Sequence, residues 1–180
     1  MTPSTSTSAS AARDRGGPVT PGSKRGRLLG LLVFLVLVFA ASAIGSVFTS
    51  MGQPEWYDTL RKPEWTPPGW LFGPVWTALY LAMAIAAWRV WTRTGWSGLR
   101  GPLGLFFAQL VLNVAWSGIF FGLRMPGLAF FEIVMLAAAI AATSVAFWRV
   151  SRLAGWLMVP YLLWVLFASM LNLSIWQLNA

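Results

Sequence analysis

The 180-residue chain contains no cysteine and no histidine. The first absence excludes disulfides, thiolate nucleophiles and Cys-ligated metals; the second removes the commonest general base and the commonest metal ligand. No Ser-His-Asp or Cys-His arrangement is therefore available. A Gly-rich phosphate loop closing on Gly-Lys-Ser/Thr is missing as well, which removes the usual support for ATP-driven pumping. Charge is scarce, at 10% of residues against roughly 25% in soluble domains. With 57% hydrophobic residues and a mean hydropathy of +0.66, the chain has too few charges to cover a water-facing surface. This is the composition of an integral membrane protein. Tyrosine is rare, at 3, yet Trp and Phe each number 12, so the chemistry on offer is mainly aromatic.

Residues 1–27 are rich in Ser, Thr, Ala, Gly and Pro and carry one acid, Asp14. They hold too little apolar side chain to fold alone and read as a disordered basic tail on the membrane surface. Residues 28–180 form the transmembrane domain. Five apolar runs follow the tail, at Leu28–Phe48, Phe72–Trp88, Leu103–Phe121, Gly127–Phe147 and Leu153–Leu173. Each is near the roughly 20 residues a helix needs to cross a bilayer. Short connections between the last four force neighbours to pack antiparallel. A cleaved signal is the rival reading of the first run, with Ala41-Ser42-Ala43 as its small-residue site. The run stays apolar to Phe48, longer than a typical signal core.

Of the 13 Lys and Arg residues, all but Arg61, Lys62 and Arg124 fall on the side of the N-terminus. The positive-inside rule then puts the N-terminus in the cytoplasm and the C-terminus outside the cell membrane. The net charge of +8 thus reads as topology, and no nucleic-acid partner is expected.

The first connection, Met51 to Leu71, is different in kind. Pro54, Pro63, Pro67 and Pro68 forbid a long regular helix there, and Trp56, Tyr57, Trp65 and Trp70 argue against disorder. Two readings stay open for its tryptophans: a structured lid, or an aromatic belt at headgroup level. For Trp88 and Trp91, beside Arg at a helix end, the belt is expected.

Helical spacing aligns polar and aromatic residues on single faces. Gln109, Asn113, Trp116 and Phe120 share a stripe in the third span, where amides must face the bundle interior. Gly118 and Gly122 lie on another side of that helix, suited to close contact either within the chain or across a dimer. The second span aligns Trp76, Tyr80 and Met83; the fifth aligns Trp164, Ala168, Leu171 and Asn172. Three such stripes point to a pocket in the bundle. Pro160 inside the fifth span frees the carbonyl of Trp156 and bends the helix. Glu132 is the only acid inside a span and is expected to snorkel to the interface.

Taken in order, these pieces resemble the TspO/MBR family, the tryptophan-rich sensory proteins that include the mitochondrial translocator protein. The matching text is Trp56-Tyr57-Asp58-x-Leu60, Lys62-Pro63-x-Trp65-Thr66-Pro67-Pro68, Gly73-Pro74-x-Trp76-Thr77-x-Leu79-Tyr80, Gln109-Leu110-x-x-Asn113-x-x-Trp116, Phe120-Phe121-Gly122, Pro160-Tyr161-x-x-Trp164 and Leu171-Asn172. The resemblance spans residues 44–179 and excludes the tail. It implies an all-α bundle of five transmembrane helices, commonly a homodimer, with a ligand cavity under a lid formed by the first loop. It further implies binding of porphyrin, notably protoporphyrin IX, or of another hydrophobic small molecule. The family's pocket positions correspond to Trp76, Asn113, Trp116, Trp164 and Ala168, with Trp56, Trp65 and Trp70 in the loop. Tyr80 and Asn172, on the same stripes, complete the expected ligand-binding set. The C-terminal cholesterol motif of the family's animal members needs Tyr followed by Lys or Arg, and neither occurs at Leu171–Gln177.

A porphyrin is flat and mostly apolar, so Trp faces suit its ring. Its two propionates want cations at the water boundary, where Arg61 and Lys62 stand. Without His or Cys the usual axial ligands of haem iron are missing, which favours metal-free porphyrin and no required cofactor. Three function classes follow: a tetrapyrrole-binding protein acting in sensing, transport or regulation; an enzyme degrading porphyrin with light and oxygen, with Trp76 and Trp164 as electron donors; and a transporter of lipid or sterol-like molecules. Gly118 and Gly122 are the expected dimer contact.

Overall fold

The computed structural model describes residues 22–52 and 56–180. Five helices dominate it: α1 (Lys24–Gly52), α2 (Gly69–Thr94), α3 (Pro102–Ser117), α4 (Pro126–Val150) and α5 (Arg152–Asn179). All five are long and apolar enough to cross a membrane, α3 together with the helical turn that extends it. The chain is an integral, multi-pass, all-α membrane protein. The helices outrun the apolar segments of the sequence. Apolar side chains end with the hydrocarbon, whereas backbone hydrogen bonding continues into the headgroup layer. Thus α1 starts at Lys24, inside the stretch expected to be tail; the remainder of that stretch, residues 1–21, lies outside the described residues.

Local chemistry sets the ends. Pro102 and Pro126 sit in the first helical turn, where a missing N–H is harmless. Gly95 ends α2 with φ +59°, a conformation that favours glycine. Ser151 alone joins α4 to α5: its N–H donates to Phe147 O at 2.7 Å, and its Oγ accepts from the N–H of Ala154. α5 continues through Pro160, and α2 through Pro74. Beyond α3 the chain widens into a π-helical turn, Gly118–Gly122, and then passes through Arg124 at φ 56°.

The main core is built from Phe34 and Val38 of α1, Met83 and Ala87 of α2, Phe106 of α3, Leu136 of α4 and Met158 and Tyr161 of α5. A smaller cluster at the lid end joins Phe120, Phe121, Ala129, Leu171 and Ile175. The opposite faces expose Val36, Val111, Phe131, Leu163 and Met170 to the lipid. Two hydrogen bonds define the other end of the bundle. Trp88 Nε1 donates to Arg27 O at 2.8 Å, and the Arg93 guanidinium donates to Val150 O.

Two expectations need correction, and an alternative left open for the third span gains an observation. Trp91 is fully buried rather than part of a belt; it meets Phe34 and Trp96 edge-on or tilted, and packs over Gly30, where any Cβ would collide with its ring. Glu132 does not snorkel. It is 8% exposed, on the face of α4 that also buries Ala129, Ile133 and Leu136, and neither carboxyl oxygen has a hydrogen-bond partner. Gly118 and Gly122 turn toward α1 of the same chain, and a Cβ at either would meet the Phe48 ring, at 3.7 and 3.3 Å. The pair makes room for an aromatic ring within the monomer. Leu at both positions is therefore expected to lower monomer stability by about 1–3 kcal/mol through overpacking, read as a lower thermal midpoint in detergent.

Candidate functional site

The lid-end half of the bundle encloses a cavity of about 840 Å³, inside the roughly 300–1,000 Å³ typical of small-molecule sites. α2 contributes Phe72, Trp76 and Tyr80; α3 contributes Asn113, Trp116 and Ser117; α5 contributes Trp164 and Ala168. These are the inward stripes of three helices, brought together as their spacing predicts.

Hydrogen bonds fix the deep wall. Tyr80 Oη donates to Asn113 Oδ1 at 2.9 Å, and Asn113 Nδ2 donates to Tyr161 Oη at 3.1 Å. Asn113 is 4% exposed, so this pairing offsets the cost of burying an amide among apolar side chains. Trp76 stacks on Tyr80, with centroids 5.3 Å apart at 30°, and meets Tyr161 edge-on at 6.2 Å. Phe72 meets Trp164 edge-on at 5.8 Å. Each tryptophan is thus held by an aromatic neighbour while lining the cavity. Gln109, one turn before Asn113, is also fully buried, but neither end of its amide finds a partner.

The lid is ordered by specific contacts. Lys62 Nζ lies 3.5 Å from Asp58 Oδ1 and 4.2 Å above the Tyr57 ring. Tyr57 in turn packs on Phe120 and Phe121. Burial, and secondarily the Asp58 carboxylate, push the Tyr57 phenol above its usual range, so it stays neutral at physiological pH. The Asn179 side chain clamps the lid to the end of α5: its Oδ1 accepts from Arg61 N–H at 3.0 Å and its Nδ2 donates to Arg61 O at 2.9 Å.

Several expected residues lie elsewhere. Trp70 is 73% exposed and does not reach the cavity. Trp65 packs edge-on against Phe167, and Trp56 against Phe120. Both hold the lid down without lining the cavity. Asn172 is buried behind the wall, accepting from Trp116 Nε1 at 3.0 Å and donating to Pro126 O at 2.8 Å, so it positions Trp116. Of the two expected propionate partners, Lys62 lines the mouth and Arg61 does not.

Sequence reading missed the side supplied by α1. Ser42, Ser46, Thr49 and Ser50 line the cavity along one helical stripe, with Gly45 between them. Thr49 Oγ1 bonds back to Gly45 O and Ser50 Oγ to Val47 O, which satisfies these hydroxyls without a partner helix. Their spacing in an otherwise aliphatic span was the available signal. Ser46 and Ser50 of α1 and Gly73 and Thr77 of α2 line the cavity and are themselves exposed, so it opens to the surface along these two helices. Among the described residues no cluster of His, Cys, Asp or Glu can hold a metal ion. The lining is aromatic and hydroxyl-bearing, with its charges confined to Lys62 and Asp58 at the mouth.

Residues 33–177 match the TspO/MBR family. Tryptophan-rich protein TspO of Chlorobaculum tepidum is 45% identical over 155 residues, covering 85% of this chain and 98% of that protein. The human translocator protein is 44% identical over 138 residues, covering 76% and 82%. The tryptophan-rich sensory protein of Cereibacter sphaeroides is 38% identical over 147 residues, covering 82% and 91%.

Proposed function

The chain belongs to the TspO/MBR family, and we propose that it binds a metal-free porphyrin such as protoporphyrin IX in the cavity beneath its lid. The observation that carries this reading is the cavity itself, with Trp76, Trp116 and Trp164 on its wall and a lysine at its mouth. A flat apolar ring gains roughly 0.5–1.5 kcal/mol per aromatic contact beyond burial. Three such contacts supply a minority of the about 8 kcal/mol that micromolar binding requires, and burial of the ring supplies the rest. One propionate pairs with Lys62, which exchanges its partly exposed Asp58 partner for the ligand.

The protein then acts in porphyrin sensing, transport or regulation, with its N-terminus in the cytoplasm as the Lys and Arg distribution argues. Transport is the activity that the printed name of the human relative suggests. A homodimer belongs to the same reading. A second reading, light-driven oxidation of the porphyrin, draws support from the Trp76–Tyr80 stack, which joins two oxidisable rings at the cavity wall.

Titrating the purified protein with protoporphyrin IX in darkness, then illuminating it under oxygen, separates the readings. Saturable quenching of Trp fluorescence with stable porphyrin absorbance supports binding alone. Absorbance loss in light, faster than for porphyrin in detergent, supports oxidation. Absence of quenching turns the cavity over to a lipid or sterol-like cargo.

A further inference from the structure

At the end of the bundle away from the lid, a second cavity of about 290 Å³ lies between α1 and α2, lined by Arg27, Trp88, Arg89, Thr92 and Arg93. Three arginines line this space, and among the described residues no carboxylate does. The acids among the described residues are Asp58 and Glu64 in the lid and Glu132 near the lid end of α4, and the ion pair formed there is that of Lys62 with Asp58. Gathered like charges repel one another, and an anion between them turns that cost into attraction. The cavity is also built rather than accidental. The Trp88 indole ties the Arg27 backbone to α2, and the Arg93 guanidinium ties α2 to the last carbonyl of α4. Arg89 Nε is shut off from solvent yet has no hydrogen-bond partner. No protein acceptor takes this N–H, and an anion seated beside it would supply the missing partner.

The position says which anion. Arg27 stands one residue before the first apolar run and Arg89 one residue after the second, so the cavity lies at headgroup depth beside lipid-facing Leu28 and Leu29. A group held here has water on one side and acyl chains on the other, which suits a lipid better than a free ion. Guanidinium forks match phosphate geometry, and basic pockets between transmembrane helices recognise anionic headgroups. We infer that Arg27, Arg89 and Arg93 form a binding site for the phosphate of one anionic phospholipid, with Trp88 against its glycerol region.

The test counts lipids bound to the full chain by native mass spectrometry after exchange into micelles containing phosphatidylglycerol or phosphatidylcholine. The parent is expected to retain one phosphatidylglycerol and to discriminate against phosphatidylcholine. Arg27→Gln with Arg89→Gln should weaken that retention about thirtyfold, and Arg89→Gln alone about fivefold, a variant that serves if the double change impairs folding. Arg100→Gln with Arg152→Gln removes two exposed arginines at the same end but outside the cavity, and should change retention less than about twofold. Equal losses in both double variants would reduce the site to a general surface field and overturn it. So would equal retention of the two lipids. Displacement of phosphatidylglycerol by inorganic phosphate would reassign the cavity to free phosphate and overturn the lipid. Helical circular dichroism of each variant confirms that the fold survives.

Discussion

Replacing Trp76 and Trp164 together by Ala is expected to weaken protoporphyrin IX binding by about 1–3 kcal/mol, or roughly five- to 150-fold in Kd, before any relaxation of the walls. Both rings line the cavity, and each packs against an aromatic neighbour, Trp76 on Tyr80 and Trp164 on Phe72. Their removal therefore deletes stacking surface and leaves voids that neighbours are not free to fill. Phe at the same positions keeps a planar apolar ring and is expected to hold affinity within about threefold. The two double variants differ in a further respect. Indole donates an electron to photoexcited porphyrin where a phenyl ring does not, so Trp→Phe separates binding from photochemistry. Fluorescence titration in the dark measures affinity, and absorbance decay under light and oxygen measures the second property. A Phe double variant that bleaches porphyrin as fast as the parent removes the photo-oxidative reading and leaves binding intact.

Asn113→Leu is expected to cost about 2–4 kcal/mol of stability, because it strands two buried phenols at once. Tyr80 Oη loses its acceptor and Tyr161 Oη loses its donor, in a wall where Tyr161 is fully buried and Tyr80 is 6% exposed. Porphyrin binding should fall as well, since Tyr80 is the surface on which Trp76 rests. The decisive comparison is a rescue. Tyr80→Phe and Tyr161→Phe added to Asn113→Leu remove the stranded hydroxyls and should restore most of the stability, since replacing all partners by apolar groups is nearly neutral. Thermal unfolding in detergent reads both steps. A triple variant no more stable than Asn113→Leu alone would show that shape, rather than hydrogen bonding, holds this wall.

The five spans and the inward stripes on α2, α3 and α5 were legible because hydrophobic length and helical period are local properties. Trp76, Asn113 and Trp164 each face where their own helix points them. What faces a helix from across the bundle is not local. Gly118 and Gly122 display a contact motif whose occupant proved to be Phe48, some seventy residues earlier in the chain. Trp91 looks like a belt residue from its neighbours Arg89 and Arg93, and only the gap at Gly30 makes it core. The lid carries no periodicity, so its tryptophans could be named but not aimed. Trp65 and Trp56 found Phe167 and Phe120, whereas Trp70 stayed outside. The hydroxyl stripe of α1 was hidden differently. Ser and Thr satisfied by their own backbone pass without notice in an apolar run.

Filling the cavity tests the central claim most directly. Ala168 lines it on α5, and Ala168→Trp places an indole in the space proposed for the porphyrin ring while leaving the lid, the Asn113 bridge and both wall tryptophans in place. Protoporphyrin IX titrated into parent and variant in darkness, with Trp fluorescence as the readout, should quench the parent saturably at one porphyrin per chain. The variant should retain its thermal midpoint and show binding weakened by at least about a hundredfold. Equal saturable quenching in the two proteins would place the porphyrin outside this cavity and contradict the proposal.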